Sequence, residues 1–337
     1  MLQNHPLVSV NILTYNGEKY IRECIESVLN QRYPNIEIII IDNNSSDCTI
    51  SEIKKFDNNP KIYKIIFNNE QSGFAVGHNQ AIRQSRGDFI LCLNQDVVLH
   101  KDFVDNAIAL LEKNTDISSI QGKVLRFNSD GSFSKKIDTT GLVILKNRRI
   151  INRGQGKIDN GQFEKEEEVF GADGACPIYR KKALEDIKVN NEFFDEDFFA
   201  YKEDVDLAWR LRLRNWKCVY HPMVIAWHWR GSGDSAERTP WGIIRERKKL
   251  SKFSKYLAFK NQRLMQIKNE QVVLLIKHFP WVLMKEVGAW AYILFFETYT
   301  LRAVYNLIKQ IPKALEKRKI IMTNKKANIK EMNKWFN

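Results

Sequence analysis

The first hundred residues alternate between short apolar runs and segments with helical periodicity. Residues 8–13 (VSVNIL) and 36–41 (IEIIII) are nearly continuous apolar runs, which are typical of parallel strands buried on both faces. Between them, apolar residues recur at helical spacing in EKYIRECIESVLNQ, and YPN ends that segment. Two further predicted strands, KIYKIIF and DFILCLNQD, enclose a helix in VGHNQAIRQS that Gly87 closes. This order predicts an α/β fold with a doubly wound, mostly parallel sheet.

Polar residues follow three of these predicted strands at their carboxyl ends. They are Thr14, Tyr15 and Asn16 after the first strand, Asp42 and Asn44 after the second, and Gln95 and Asp96 after the fourth. Ligands of open α/β sheets bind beyond the carboxyl ends of the strands, so the pattern predicts a ligand site at this edge. Two structural alternatives stay open, because the first three residues would also suit a turn and Asp42 would also suit the N-cap of the following helix.

The middle of the chain has a weaker pattern, with six glycines between residues 121 and 170. The segment DTTGLVIL predicts a strand, and Ala175 to Tyr179 predict another that leads into a helix. Further on, FFDEDFFAYKEDVDLAWRLRLRNW runs from an acidic loop into a helix that begins near Glu203, Asp204 and Asp206. Acids at a helix start can be functional, or can simply favour the positive end of the helix dipole. We expect Asp206 to cap the helix or form a salt bridge within it, and KCVYHPMVIAWHW to form a closing pair of strands.

After Trp241 the chain changes in character. Residues 241–337 contain 21 Lys and Arg against 6 Asp and Glu, whereas residues 1–240 contain 32 against 34. The longest uncharged stretch of the apolar part, Val287 to Phe296, is well short of the roughly 20 residues that span a bilayer. We therefore expect two parts, a globular domain over 1–240 and a basic extension of amphipathic helices over 241–337, which lie on an anionic membrane surface or form a homodimer.

Composition excludes some partners and suggests a compartment. A nucleic acid is not expected, because long apolar segments interrupt the basic charge and would not contact a phosphate backbone. The five cysteines include no CxxC pair and fit a reducing cytoplasm. The first ten residues, MLQNHPLVSV, do not have the pattern of a signal peptide. The expected location is the cytoplasm, at the inner face of the cell membrane.

Five segments in this order resemble the inverting, nucleotide-sugar-dependent glycosyltransferases of family 2, which have a GT-A fold. They are VSVNILTYNGEKYIRECIESVLNQRYPNIEIIIIDNNSSDCT, GFAVGHNQAI, GDFILCLNQDVVL, FFAYKEDVDLAWRLRLRNW and AWHWRGSG. The resemblance spans roughly residues 7–233, and DNNSSD with GFAVGHN favours the rhamnosyltransferase-like subgroup. It implies transfer of a sugar, with dTDP-rhamnose as the favoured donor, to a hydroxyl of a lipid-linked or oligosaccharide acceptor in bacterial cell-surface polysaccharide synthesis. The alternatives are a UDP-sugar donor (galactofuranose, glucose or GlcNAc) and a non-catalytic nucleotide-sugar-binding scaffold.

The resemblance also implies roles for individual residues. Nucleotide contacts are implied for Thr14, Tyr15, Asn16, Asp42, Asn44, Asn79 and Gln95, and the segment from Gly73 to Asn79 would pass near the sugar diphosphate. Asp96 and His228 would bind Mg²⁺ or Mn²⁺, and Asp204 would be the general base. Acceptor contacts are implied for Glu203, Asp173 and Trp229.

Several of these roles have structural alternatives. The family's metal motif usually has two acids one residue apart, but Asn94 occupies the first position here, so metal affinity is expected to be weak. His228 would also suit a buried core position, Asp173 a turn, and Trp229 the packing of a core. A nicotinamide-dependent enzyme is disfavoured, because TYNGEKY offers one glycine where a G-x-G-x-x-G turn would be needed.

Overall fold

The computed structural model describes residues 5–230, 236–237 and 239–337, so the last three residues of the predicted family match, 231–233, lie outside it. The strands in chain order are β1 (Val8–Thr14), β2 (Ile36–Asp42), β3 (Ile62–Phe67), β4 (Phe89–Asn94), β5 (Val97–Leu99), β6 (Ile117–Phe127), β7 (Phe133–Thr139), β8 (Leu142–Ile144), β9 (Ile150–Asn152), β10 (Glu167–Glu168), β11 (Ile178–Arg180) and β12 (Lys217–His228). The helices are α1 (Ile21–Leu29), α2 (Thr49–Lys54), α3 (Gly73–Gln84), α4 (Phe103–Lys113), α5 (Lys181–Asp186), α6 (Glu203–Leu213), α7 (Pro240–Lys249), α8 (Lys252–Asn269), α9 (Val272–Lys277), α10 (Phe279–Phe296), α11 (Leu301–Thr323) and α12 (Ile329–Asn333), with 3₁₀ turns at Glu196–Phe198 and Thr298–Thr300.

A ten-stranded mixed sheet organises the first 230 residues. Its main path runs β10-β12-β6-β11-β4-β1-β2-β3, and the four strands from β4 to β3 are all parallel. Every residue of β2 is buried, as its run of isoleucines predicts for a strand covered on both faces. The register places Thr14 beside Asp42 and Leu13 beside Asn94, so the strand ends meet at one edge. The predicted α/β class is confirmed.

Two local predictions are wrong. The predicted closing strand pair is the single strand β12, whose pairing with β6 shifts register between Lys217 and Cys218 and between His221 and Ile225. The predicted strand DTTGLVIL divides into the end of β7 and the start of β8, because Gly141 turns the backbone at a φ of 125° that L side chains rarely adopt. The segment from Gly73 to Asn79, which the resemblance places near the sugar diphosphate, forms the first half of α3.

The helices after residue 240 pack against the body that carries the sheet. A hydrophobic cluster joins α8 and α11 to α6 and to the segment before it. Its members include Phe198, Val205, Trp209, Leu264, Met265, Leu307, Ala314 and Ile321. The C-terminal end also returns to the body, where Phe336 bridges Ile144. The basic helices therefore build part of the core beneath α6.

Buried ion pairs reinforce this contact. Lys317 of α11 lies 2.7 Å from Glu192, 2.6 Å from Asp195 and 2.8 Å from Asp197. Lys268 of α8 also pairs with Asp195, and its Nζ lies 2.8 Å from Asp206 of α6. Part of the positive charge of the C-terminal region is thus neutralised inside the protein by the acidic segment before α6.

We predict that Lys317→Met destabilises the protein by about 3–5 kcal/mol, because the buried carboxylate of Asp195 and the partly buried carboxylates of Glu192 and Asp197 then lose their shared cation. The matched control is Lys313→Met on the same helix, where Lys313 is 48% exposed and pairs with Asp197 at 2.7 Å. An exposed pair of this kind contributes about 1 kcal/mol or less. Urea unfolding of both variants measures the difference, and equal losses of stability would contradict the role given to Lys317.

Candidate functional site

The loop after β1 is held by the side chain of Gln95. Gln95 Oε1 accepts hydrogen bonds from Thr14 Oγ1 and, at 2.8 Å, from the backbone N–H of Tyr15, while Gln95 Nε2 donates to the Tyr15 carbonyl at 3.1 Å. Gly17 is required beside it, because a Cβ there would lie 2.2 Å from Gln95 Oε1. Thr14, Tyr15 and Gln95 are therefore brought together, with the Gln95 amide fixing the loop.

Asp42 and Asn16 shape a second turn at the same edge. Asp42 is fully buried, and its carboxylate accepts from the Ser45 backbone N–H at 3.0 Å and from Ser45 Oγ at 2.5 Å. The Asn16 N–H donates to Ser45 Oγ at 2.9 Å, and Asn16 Oδ1 accepts from Ser46 N at 2.8 Å. Asn44 has a φ of 67° within this turn. The helix N-cap alternative for Asp42 is wrong, since α2 begins only at Thr49.

Asn79 does not join this cluster. It is buried in α3, where its Nδ2 donates to the Phe194 carbonyl at 2.8 Å and to Glu196 Oε1 at 2.9 Å. Its Oδ1 accepts from the Phe194 N–H at 2.8 Å. The amide thus ties α3 to the segment before α6, and a nucleotide contact by Asn79 has no support in this geometry.

Asp96 and His228 meet where β5 pairs with the end of β12. The His228 Nε2 lies 3.4 Å from Asp96 Oδ2, and its Nδ1 lies 2.9 Å from Asp138 Oδ2 on β7. Asp138 is fully buried and also accepts from Arg126 Nε at 3.1 Å and from Arg230 Nη1 at 3.0 Å. The Nδ1 atom of the imidazole is therefore fixed by Asp138, while the Nε2 atom points to Asp96.

These contacts shift both ionisation equilibria. Burial lowers the pKa of His228, but hydrogen bonds to Asp138 and Asp96 and the charges of both carboxylates outweigh it and raise the pKa to about 10. Burial raises the pKa of Asp138, but the hydrogen bond from His228 and the charges of Arg230, His228 and Arg126 hold it well below its usual range. The two carboxylates favour the positively charged form of the imidazole. A divalent cation bound to Asp96 and His228 would take the place of that charge.

The donors fit a divalent metal ion only in part. Within the described residues, His, Cys, Asp and Glu form no cluster of three or more that would hold a metal ion. Asp96 and His228 offer one oxygen and one nitrogen, a set compatible with Mg²⁺ or Mn²⁺ when other ligands complete the shell. Asn94 at the cleft wall contributes only a neutral amide.

A cleft of about 480 Å³ opens beside this pair. Asn94 and His228 line one wall. The part of the lining near the start of α6 carries Asp173, Lys202, Glu203 and Asp204. The cleft thus joins Asn94 and His228 to the acidic start of α6, whereas Thr14, Asp42 and Asp96 do not line it.

The carboxylate of Asp204 is oriented by backbone groups. Its Oδ1 accepts from the Val205 N–H at 2.7 Å, and its Oδ2 accepts from the Gly174 N–H at 3.2 Å. Asp173 is fixed in turn, because its Oδ2 accepts from Asn152 Nδ2 at 3.1 Å. A carboxylate in the first turn of α6 and one in the loop before β11 are thereby placed on one cleft wall.

Burial raises the pKa values of two acids on this wall, Glu203 and Asp204. Burial, followed by the charge of Asp204, raises the pKa of Glu203 to about 8. Burial and the charge of Asp173 raise the pKa of Asp204 to about 6, although Lys202 acts to lower it. At neutral pH, Glu203 holds its proton and Asp204 is ionised, so Asp204 can accept a proton.

A strained loop precedes this pair and is held by the C-terminal helices. Phe199, Tyr201 and Lys202 have φ values of 65°, 69° and 78°, which L residues sparsely populate. The buried Asn261 of α8 donates from Nδ2 to the carbonyls of Phe198, Ala200 and Tyr201 at 2.9, 2.8 and 2.8 Å. Asn261 lies more than 50 residues away in sequence, and no local pattern signals its contact.

Two further predicted residues have structural positions. Trp229 stacks on Phe127, with ring centroids 4.4 Å apart and an interplanar angle of 11°, and it lines the aromatic cluster next to Tyr20. The acceptor role of Trp229 has no support in this geometry, and its packing alternative fits better. Asp206 is buried and pairs with Arg210 at 2.9 Å, as predicted for a salt bridge within the helix.

Comparisons with known proteins agree with this arrangement. The family model for glycosyl transferase family 2 matches residues 9–188. The poly-beta-1,6-N-acetyl-D-glucosamine synthase of Staphylococcus epidermidis is 27% identical over 224 residues, which are 65% of this chain and 49% of that protein. An uncharacterized glycosyltransferase of Haemophilus influenzae is 34% identical over 119 residues, which are 35% of this chain and 37% of that protein. The chain therefore spans half or less of the length of these relatives.

Solved structures share the fold at low sequence identity. The S. aureus TarS fragment 1–349 in complex with UDP-GlcNAc superposes with a TM-score of 0.56 at 17% identity, covering 92% of this chain and 81% of that one. The mannosyltransferase PcManGT from Pyrobaculum calidifontis, in complex with GDP-Man and Mn²⁺, gives a TM-score of 0.54 at 14% identity, covering 96% and 86%. These likenesses establish a GT-A fold with C-terminal helices, and the matching family model covers more than half of the chain. The protein belongs to glycosyl transferase family 2.

Proposed function

We propose that the protein is an inverting, metal-assisted glycosyltransferase that moves a sugar from a nucleoside diphosphate to a hydroxyl of a cell-surface glycan. The observation that carries the proposal is the carboxylate of Asp204, which the backbone N–H groups of Val205 and Gly174 orient in a cleft that His228 also lines. A base on one side of the cleft and a diphosphate site on the other are what a single displacement with inversion requires.

The chain's own groups divide the reaction between them. Asp204 accepts the proton of the acceptor hydroxyl as its oxygen attacks the anomeric carbon, and the bond to the diphosphate breaks on the opposite side. The positive charge that develops on the sugar ring resembles an oxocarbenium ion. Glu203, whose pKa is raised, can donate a hydrogen bond to the acceptor when it is protonated, and the charge of Lys202 favours the ionised form of Asp204.

The donor side uses the strand-end residues. Asp42 and the loop of Thr14 to Asn16 would receive the nucleoside, and Asp96 and His228 would hold Mg²⁺ or Mn²⁺. The bound ion would neutralise the charge of the leaving diphosphate. The solved structures that share this fold contain UDP-GlcNAc in one case and GDP-Man with Mn²⁺ in another, which supports a nucleotide-sugar site here.

Two arguments about the identity of the donor favour different sugars. The motifs DNNSSD and GFAVGHN favour dTDP-rhamnose, whereas the names of the relatives and of the TarS structure favour a donor of N-acetylglucosamine, UDP-GlcNAc. We propose a hydroxyl of a lipid-linked or oligosaccharide glycan as the acceptor, and the cytoplasmic face of the cell membrane as the site of action. A relative that makes a polysaccharide supports the glycan acceptor.

Calorimetry with dTDP-rhamnose, UDP-GlcNAc, UDP-glucose and UDP-galactofuranose, each with and without Mn²⁺, tests the donor proposal. We expect one donor to bind selectively and more tightly with Mn²⁺. Asp204→Asn should keep that affinity and lose transfer by at least about 10²-fold, the usual effect of a general base. Absence of binding by every donor would contradict the function, donor binding without any transfer would favour a non-catalytic scaffold, and normal turnover by Asp204→Asn would contradict the base.

Asp138 is predicted to set the orientation of His228. Asp138→Asn keeps the size of the side chain but removes the negative charge behind the imidazole, so Mn²⁺ affinity in the presence of nucleoside diphosphate should fall about 10–100-fold. Electron paramagnetic resonance of free Mn²⁺ measures this without turnover. Asp130→Asn is a suitable control, because Asp130 lies in an exposed turn and bonds only Ser132 in the described contacts. Equal affinities in wild type and Asp138→Asn would contradict the role.

The pH profile of kcat/KM should show an acidic limb near pH 6, because protonated Asp204 cannot act as a base. Removing the charge of Asp173 lowers the pKa of Asp204, so Asp173→Asn should move the limb to lower pH. Removing the charge of Lys202 raises that pKa, so Lys202→Met should move the limb to higher pH. A limb that stays in place in both variants would exclude Asp204 as the titrating group.

A further inference from the structure

The helices after residue 240 carry most of the exposed apolar surface. Among the residues that the structure describes, 18 of the 25 exposed large apolar side chains lie after residue 240, in less than a third of the chain. They are concentrated on α9, on α10 and at the start of α11. Apolar surface gathered in this way marks a contact with another molecule or with a membrane. We call these three segments the apolar face.

The distribution of apolar and charged side chains on α10 is the reverse of that expected for a helix that faces water. Its two charged residues, Lys285 and Glu286, turn towards the protein, where Glu286 pairs with Lys285 and with Arg263 of α8. Its outward side chains are apolar, and Met284 and Phe295 are 75% and 78% exposed. A helix exposed to water buries its apolar stripe and exposes its charges. The outer side of α10 is therefore built for an apolar surrounding.

The attachment of α10 favours a position along a membrane surface over a span. Within the described residues α10 is the one helix with the length and mean hydropathy to cross a bilayer, 18 residues at 1.2. However, the Arg263–Glu286 pair holds its middle against α8, and Ile293 packs with Phe259 of α8. Glu297 at its end pairs with Arg247 at 2.6 Å. A helix tied along its length to a charged, water-soluble body cannot be surrounded by lipid.

Exposed basic residues flank the apolar face. They are Arg245, Lys248 and Lys249 on α7, Lys277 at the end of α9, and Arg302 and Lys309 on α11. Trp241, which lies on α7 with the first three of these basic residues, is 83% exposed. Apolar side chains between exposed Lys and Arg match the headgroup region of an anionic bilayer. A second copy of this chain would bring the same positive charges together, so charge complementarity favours the lipid.

The catalytic cleft lies at the edge of this helical unit. Ile243, Arg247 and Leu250 of α7 and Ala258 of α8 line the same cleft as Asp204. Arg247 also pairs with Glu297 at the end of α10, so the cleft adjoins one end of the apolar face.

We propose that the apolar face lies in the interface of an anionic bilayer, with the cleft beside it, so that a lipid-linked acceptor presents its hydroxyl to Asp204 while its lipid stays in the membrane. This proposal rests on the proposed function for the acceptor, and it assigns α10 as the main contact. The lipid removes from water the apolar side chains that the protein leaves uncovered.

The test compares vesicles of phosphatidylethanolamine and phosphatidylglycerol with vesicles of phosphatidylcholine alone, by co-sedimentation of the full chain. The variant Met284→Glu with Phe295→Glu should bind the anionic vesicles on the order of tenfold less well, because binding scales with the buried apolar area. The matched control is Ile158→Glu, because Ile158 is 53% exposed in the loop between β9 and β10, outside the helical unit. We expect the control to bind as the wild type does, and the wild type to bind phosphatidylcholine more weakly.

Donor hydrolysis without acceptor separates this proposal from the proposed function. The double variant should keep the wild-type rate of nucleotide release, because neither residue lines the cleft. Wild type that does not bind anionic vesicles would overturn the membrane proposal while leaving donor turnover intact. A wild-type dimer in light scattering that the double variant converts to monomer, without vesicle binding, would assign the face to a second copy. Wild type that resists extraction by alkaline carbonate would overturn the interfacial position in favour of a span. Absence of donor binding in calorimetry of the wild type would contradict the function whatever the vesicles show.

Discussion

The burial of Asp195 between two lysines is the constraint on which the rest of this structure depends. Lys268 of α8 and Lys317 of α11 both pair with this carboxylate, and Lys268 also pairs with Asp206 in the middle of α6. Charges removed from water need partners with good geometry, so α6 and the two C-terminal helices keep one relative position. Asn261 extends the same contact to the strained loop before Glu203. The C-terminal helices are thus part of the framework that positions Asp204.

This framework changes the meaning of the charge distribution. The excess of Lys and Arg after residue 240 suggested an anionic partner, but Lys260, Lys268 and Lys317 bind carboxylates or carbonyls of the segment before α6. Only the exposed part of that charge remains for a membrane. For the same reason, removal of the C-terminal region would expose the core beneath α6 and would not report on membrane binding alone. Substitutions on the surface of α10 separate the two roles.

The sequence predicted the sheet well because its signal is local. Buried parallel strands require continuous apolar runs, and the residues at their carboxyl ends follow directly, so position alone placed Thr14, Asp42 and Asp96 at this edge of the sheet. The acids at the start of α6 were found in the same way. Asp138 was missed because it lies on a strand that is paired only with β6, with no distinct motif around it. Lys202 and Asn261 were missed because their roles depend on a left-handed turn and on a contact between distant segments. Asn79 and Trp229 carry the residue types of binding groups, but tertiary packing uses them inside the protein.

The central claim is that a donor sugar lies between the His228–Asp96 pair and Asp204, and a crystal structure with Mn²⁺ and the donor that calorimetry selects tests it most directly. The account predicts the nucleoside beside Asp42, the diphosphate and Mn²⁺ at Asp96 and His228, and the anomeric carbon facing Asp204 on the side away from the diphosphate. A donor bound elsewhere, or one whose diphosphate lies on the same side of the anomeric carbon as Asp204, would contradict the account.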